Sequence, residues 1–318
     1  MKKIGIITRD CAGVNAAIRA VVRTACKHQI EVVGVLKGYD GLIDGKFIPL
    51  NRGSVSSIIN LGGTFLKTSR SKRFLTTAGQ KLAVKNIREQ KIEGLIVIGG
   101  NGSLKGAHIL TSRYKIPVVG VPATIDNDLN GVDLSIGADT AVNVALDAID
   151  KIRDTATSLE RIFIVEVMGR YSGYIAMQVA LAGGCEEVLL PEREFTIEAM
   201  CNEIEQGTRK GKISWIIIVA EGKAKAHDVG RLITKRTGLE TRVAVLGHIQ
   251  RGGHPTATDR ILGSQLGNYA VDVLCQDKTD ICVCLKNNDL ITIPLSKAIR
   301  PKKIAVAEEY RLLKLLTQ

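Results

Sequence analysis

Aromatic side chains are scarce in this chain: they make up 4% of its 318 residues, with a single tryptophan. That scarcity argues against a protein that stacks nucleobases on aromatic platforms. No apolar run reaches membrane-spanning length, so no transmembrane helix is expected. Met1-Lys2-Lys3-Ile4 leads straight into a strand pattern, which leaves no place for the apolar core of a secretory signal. No low-complexity linker interrupts the chain. The seven cysteines are odd in number and scattered. Only Cys282 and Cys284 are close, and a lone C-x-C lacks the second ligand pair of a zinc site. Reduced thiols in the cytoplasm are therefore expected. One charge is in excess: 44 Lys and Arg against 32 Asp and Glu, a net +12. Such an excess points to anionic ligands or a polyanionic partner. The cations are spread along the chain, and no zinc-finger, homeodomain or aromatic RNA-binding motif accompanies them. Phosphorylated small molecules are expected rather than nucleic acid.

A chain of this length is too long for one small core, so two domains are expected. Short apolar runs alternate with longer amphipathic stretches. Strands are predicted at Ile4–Thr8, Val32–Leu36, Gly94–Ile98, Val118–Val121, Ile162–Val165, Trp215–Val219 and Val243–Leu246. Helices are predicted over 13–27, from about 102, and over 139–156 and 256–276. This alternation gives an α/β fold with parallel sheets covered on both faces, in two Rossmann-like halves. The boundary falls near Gly137, before a long helix.

The densest chemistry follows the run Val118–Val121, where the chain reads Pro122-Ala123-Thr124-Ile125-Asp126-Asn127-Asp128. Two carboxylates sit on a short loop at the end of a buried strand, the edge where open α/β sheets bind ligands. One carboxylate can take a proton from a substrate hydroxyl while its neighbour helps to hold a cation. Ile98-Gly99-Gly100-Asn101-Gly102-Ser103 is a strand, a glycine-rich turn and a helix start, suited to phosphate. Lys105 occupies the place of the third glycine, so the dinucleotide fingerprint fails. Gly207–Ile213 is one residue short of a Walker A loop and ends in Ile, so that match fails too. Gly247-His248-Ile249-Gln250-Arg251-Gly252-Gly253 places an imidazole and a guanidinium three apart on a glycine-flanked loop. Arg holds phosphate bidentately, and His can donate to a phosphate or sugar oxygen. Met168-Gly169-Arg170 forms another strand-end loop.

Taken together these motifs resemble the phosphofructokinase family, specifically its bacterial 6-phosphofructokinases. The resemblance runs along essentially the whole chain. Its markers are Asn15-Ala-Ala-Ile-Arg19, Gly62-Gly63-Thr64-Phe65-Leu66, Thr124–Asp128, Val165–Arg170, Gly183-Gly184-Cys185-Glu186 and Leu246–Gly253. It implies two Rossmann-like domains: residues 1–137 plus 252–304 for the nucleotide, and 138–251 plus 305–318 for the sugar phosphate. The implied reaction is phosphoryl transfer from Mg-ATP to the 1-hydroxyl of fructose 6-phosphate. Asp126 matches the catalytic base. Thr124 and Asp128 match its neighbours at the reacting hydroxyl and the metal, and Arg170 matches the cation at the transferring group. Met168 and Gly169 match residues lining the sugar, and Glu221 matches an acceptor for its hydroxyls. His248 and Arg251 match ligands of the 6-phosphate. Arg161 and Arg242 match ligands that reach in from a neighbouring subunit, so a homotetramer is implied. Arg70, with Arg9, Gly100, Asn101, Gly102 and Ser103, falls at the nucleotide phosphates. Arg19, Arg23, Arg52, Arg153, Glu186, Lys210 and Lys212 match an effector pocket for a nucleoside diphosphate such as ADP or for phosphoenolpyruvate. Ser57 stands where many members carry an acid.

The chain departs from the family on the donor side. The family reads Thr-Ser-Gly-Gly-Asp in the first loop, whereas here Thr8-Arg9-Asp10-Cys11-Ala12-Gly13 is two residues shorter and lacks both glycines. Asn101 stands where an aspartate usually serves the magnesium. These departures keep open a second expectation, a weak or inactive sugar-phosphate-binding homologue. Pyrophosphate-using members typically carry Asp at the position of Gly102 and Lys at that of Ala123. The small residues found here favour ATP.

Overall fold

The computed structural model of the chain describes residues 1–317. The chain divides into two compact units, residues 1–140 with 251–302, and residues 141–250 with the segment from Lys303 onward.

The first unit opens with β1 (Lys3–Thr8), α1 (Val14–Lys27), β2 (Glu31–Val35), α2 (Gly38–Ile43) and β3 (Phe47–Leu50). It continues through α3 (Thr77–Glu89), β4 (Gly94–Gly99), α4 (Asn101–Tyr114) and β5 (Val118–Pro122). The long α5 (Ala138–Leu159) then leads out of it. The second unit carries β6 (Ile162–Val167), α6 (Tyr174–Ala182), β7 (Glu187–Leu189), α7 (Ile197–Arg209), β8 (Trp215–Ala220), α8 (Ala226–Thr237) and β9 (Thr241–Val245). The chain returns to the first unit for α9 (Ala257–Cys275), β10 (Ile281–Lys286), β11 (Asp289–Pro294) and α10 (Leu295–Ala298). It ends on α11 (Ala307–Thr317) in the second.

The first sheet has seven strands in the order β11-β10-β5-β4-β1-β2-β3. Its centre is parallel, and β4 is buried along its whole length. A strand covered on both faces needs an unbroken apolar run, which Gly94-Leu-Ile-Val-Ile supplies. The sheet is mainly parallel, as expected; only its two edges differ, with β3 and β11 antiparallel to their neighbours. Pro49 lies in β3, where an edge strand tolerates the missing N–H. The second sheet, β7-β8-β6-β9, is parallel throughout.

Helix α1 packs closely on α9. A Cβ on Gly267 would stand 2.5 Å from the Ala17 carbonyl oxygen, so glycine at that position permits the approach. Thr256 caps α9 by accepting the Asp259 N–H at 3.3 Å. The segment 247–253, expected as a glycine-flanked loop, winds through a 3-10 turn over Gly247–Arg251. Gly247 is left-handed at its start (φ 53°). Cys282 and Cys284 are fully buried on β10, at the two-residue spacing that puts side chains on one face of a strand. None of the seven cysteines forms a disulfide.

Candidate active site

In the first sheet β5, β4 and β1 are neighbours, paired so that Gly99 lies opposite Pro122 and Thr8 opposite Ile98. Their C-terminal ends therefore bring Arg9, the Gly100–Ser103 turn and the Thr124–Asp128 loop to one edge. Connections leave β1 and β4 in opposite directions along the sheet, which makes this a topological switch point.

Neither helix that starts at this edge carries a capping side chain or an acidic residue in its first turn. The N-caps are Gly13 for α1 and Gly100 for α4. Their first amide donors and the positive end of the helix dipole suit an anion. Gly100 packs on Thr124: a Cβ there would lie 3.0 Å from the Thr124 Cβ. Nothing lies within 4 Å of a Cβ built at Gly102, which is exposed. Asn101 Oδ1 is buried and accepts no hydrogen bond. An orphaned oxygen beside a glycine-rich helix start fits a hard cation. Among the described residues no group of three or more His, Cys, Asp or Glu side chains could hold a metal by itself. Magnesium, which keeps waters and phosphate oxygens in its shell, fits such a sparse protein contribution from Asn101 and Asp128.

The loop after β5 closes on itself. Ile136 N–H donates to the Pro122 carbonyl at 3.1 Å. Asn127 is left-handed (φ 46°), and its side chain turns inward to bridge the loop. Asn127 Nδ2 donates to Asp133 O at 2.9 Å, and Oδ1 accepts from Ser135 N at 3.0 Å. Ser135 Oγ donates to Thr124 O at 2.7 Å. Asp126 and Asp128 flank this staple. Asp126 is 4% exposed, and its N–H donates to Thr124 Oγ1 at 3.2 Å. Lys302 lies behind the loop with Nζ on Val132 O at 2.7 Å. Burial lowers its pKa, against the pull of Asp133 and Asp128. Cys11 sits beneath the edge, donating to Ile136 O at 3.3 Å. Burial and the nearby Asp259 and Asp10 push its thiol up, so it stays protonated.

In the second sheet β6 and β8 end together, with Val167 opposite Ala220. Met168–Arg170 and Glu221 follow directly. Glu221 Oε1 accepts the N–H of Arg170 at 2.9 Å and of Gly169 at 3.3 Å. Both donors lie in backbone that glycine prefers, Gly169 at φ 145° and Arg170 at φ 53°. The carboxylate thus fastens an unusual turn and leaves Arg170 exposed. His248 and Arg251 stand on the 3-10 turn over Gly247–Arg251, with His248 exposed. Arg161 and Arg242 do not join these residues within the chain. They lie at the opposite, N-terminal end of the sheet, where both bind Glu240. Arg242 is the second residue of β9, whose far end leads to the Gly247–Arg251 turn.

The expected effector residues fall on both units. In the second, Arg153 donates to the carbonyl oxygens of Gly183 and Gly184. Glu186 accepts the Ile216 N–H at 2.6 Å and pairs with Lys212 at 3.2 Å. These three surround one turn, and Lys210 follows at the C-terminus of α7. In the first unit Arg19 and Arg23 lie on α1, and Arg52 is exposed after β3.

Three supporting residues escaped the sequence reading. Gln250, 1% exposed, accepts the Met168 N–H on Oε1 at 2.8 Å. Its position inside the Gly247–Gly253 motif was the available signal. Glu166 accepts the Ala226 N–H at 2.9 Å at the start of α8. Asp259, fully buried, accepts from Gly137 and Thr140 N–H at 2.8 Å each. Nothing in its local sequence marks that role, because its partners lie far along the chain.

A sequence model described as phosphofructokinase matches residues 3–274. The ATP-dependent 6-phosphofructokinase of Thermotoga petrophila is 49% identical over 319 residues, covering 100% of both chains. The protein of that name from Bacillus subtilis is also 49% identical over 319 residues, with 100% of both chains covered. Among solved structures, phosphofructokinase from Saccharomyces cerevisiae superposes with a TM-score of 0.88 at 32% identity. That match covers 94% of this chain, which spans 45% of the yeast chain. A pyrophosphate-dependent phosphofructokinase from Marinobacter aquaeolei shares the fold, with a TM-score of 0.86 at 23% identity over 98% of this chain and 91% of that one.

Proposed function

The chain belongs to the phosphofructokinase family, and we propose that it transfers the terminal phosphoryl group of ATP to the 1-hydroxyl of fructose 6-phosphate. The observation that carries this reading is the fixed Asp126–Asp128 loop beside the uncapped start of α4. The full-length likeness to proteins named ATP-dependent 6-phosphofructokinase supports ATP as the donor. Nothing in those likenesses favours an inactive homologue, despite the shortened first loop.

In this reading the first unit meets the nucleotide and the second meets the sugar phosphate. Asp126 accepts the proton of the 1-hydroxyl as its oxygen attacks phosphorus. Thr124 holds that hydroxyl in line. The α4 amides, with Gly100, Gly102 and Ser103, receive phosphate oxygens, and Arg70 adds charge. Asn101 and Asp128 hold magnesium, which supplies charge neutralisation on the phosphate oxygens when bound. Arg170 supplies positive charge to the transferring group. Phosphoryl transfer depends on such positioning and charge compensation more than on covalent chemistry. Met168, Gly169 and Glu221 orient the sugar, and His248 and Arg251 bind its 6-phosphate. Arg161 and Arg242 serve a neighbouring copy, which makes the working form a homotetramer. The cations around Gly183–Glu186, with Arg19, Arg23 and Arg52, contribute to an effector pocket between subunits for ADP or phosphoenolpyruvate. The setting is cytoplasmic glycolysis. No helix among the described residues is long and apolar enough to cross a membrane.

The test is a coupled assay of the purified chain with ATP, Mg²⁺ and fructose 6-phosphate. The expected result is sustained fructose 1,6-bisphosphate formation. Absence of turnover, with fructose 6-phosphate still stabilising the protein to heat, would overturn the assignment.

A further inference from the structure

Arg9 replaces the family's small residue in a loop that has also lost its two glycines, and its side chain has a definite destination. From the end of β1 it crosses Gly99, where a Cβ would come 3.0 Å from Arg9 Cγ. Its guanidinium then donates to Ser69 O at 2.7 Å and to Thr68 Oγ1 at 3.3 Å. The next residue, Asp10, accepts the Thr64 N–H at 2.9 Å. Two consecutive residues of the shortened loop thus hold the segment 64–69 at both ends. Asn15 Oδ1 accepts the Phe65 N–H at 3.1 Å, and Asp40 receives the hydroxyls of Ser69 and Ser71 from the other side. Arg70 follows directly and is exposed.

This bracing matters because the segment has little structure of its own. Between β3 and α3 the described chain forms a single helical turn, the 3-10 turn Arg73–Leu75. Segments held by few backbone hydrogen bonds open locally at low free energy. One guanidinium nitrogen that donates to both a backbone carbonyl and a neighbouring hydroxyl fixes direction as well as distance. We propose that Arg9 is a positioning residue that sets the segment 64–71, and with it Arg70, for the polyphosphate of the nucleotide. A loop without the two leading glycines lets phosphate approach its backbone less closely, and a preset Arg70 takes up that contact. This inference rests on the ATP-dependent reading above.

A double-mutant cycle with Arg9→Ser and Arg70→Ser tests it. Arg9→Ser alone is expected to raise KM for ATP about tenfold or more, within the range of couplings between groups in contact. The dissociation constant for fructose 6-phosphate, measured by calorimetry, is expected to stay unchanged. The double variant is expected to match Arg70→Ser alone, because Arg9 acts through Arg70. Additive losses would mean that Arg9 meets the nucleotide directly and would overturn the proposal, as would an unchanged KM for ATP. Hydrogen exchange of the unliganded protein provides a readout independent of activity. The amides of 66–71 should exchange faster in Arg9→Ser while those of β1 and β4 do not. Unchanged exchange at 66–71 would overturn the brace. Failure of the parent protein to use ATP would instead overturn the ATP-dependent reading, leaving the brace to be judged by exchange.

Discussion

Glu221 Oε1 accepts the backbone N–H of Arg170 at 2.9 Å, joining the end of β8 to the left-handed turn after β6. An ionised acceptor makes such a bond stronger than a neutral one. Glu221→Gln keeps an oxygen for the turn and removes the charge. Loss of a charge-assisted bond is expected to raise KM for fructose 6-phosphate about tenfold. With kcat nearly unchanged, steady-state kinetics would identify a uniform binding effect. An equal rise in KM for ATP would contradict the placement of Glu221 on the sugar side.

Asn101 opens α4 with a buried, unbonded oxygen and no acidic neighbour in the first turn. Asn101→Asp adds a carboxylate, the ligand that magnesium prefers. The half-saturating Mg²⁺ concentration in the ATP reaction is expected to fall roughly tenfold, the size of a gain of about 1.4 kcal/mol. A negative charge at a helix N-terminus also stabilises by about 0.3–1 kcal/mol, which a modest rise in Tm without ligand would report. An unchanged magnesium requirement would remove Asn101 from the metal's surroundings.

Tyr310 on α11 donates to both oxygens of buried Glu187, at 2.9 and 3.0 Å, and Lys314 adds an ion pair at 2.7 Å. Burial, with the Glu187 charge, pushes the phenol up to about 12. Tyr310→Phe leaves the carboxylate short of a donor and is expected to cost about 1–3 kcal/mol in thermal or denaturant unfolding. The folded state holds this proton more tightly than the unfolded chain, whose phenol titrates near 10. The stabilisation is therefore complete below about pH 10 and is lost as pH rises from there towards 12. The gap between parent and variant should be constant from pH 6 to 9 and narrow above. A gap that widens with alkalinity would contradict the assignment.

The elements most legible in the sequence were those whose burial is one-sided in composition. Strands β4 and β8 are continuous apolar runs, and the structure buries both throughout. Strand β7 is three residues long and includes a buried glutamate, so no run announces it. The β10–β11 hairpin was missed although its signal was present. Asn287 and Asn288 are both left-handed at the turn (φ 50° and 67°), which is the demand of a tight hairpin that Asn meets. The same hairpin explains Cys282 and Cys284, which the spacing alone had raised as a metal question. At the candidate site, the loop motifs were visible because their polar residues interrupt apolar strands. Their supports were not. Gln250 and Asp259 act on residues 82 and 119–122 positions away, and such pairings exist only after folding.

The central claim is that Asp126 takes the proton of the sugar hydroxyl from a loop fixed by Asn127 and Ser135. Asp126→Asn, assayed for turnover and for fructose 6-phosphate binding by calorimetry, tests it most directly. General-base loss predicts a kcat lower by about a hundredfold or more, with the sugar phosphate bound as tightly as before. Turnover within a few-fold of the parent, at unchanged fructose 6-phosphate affinity, would show that another group removes the proton.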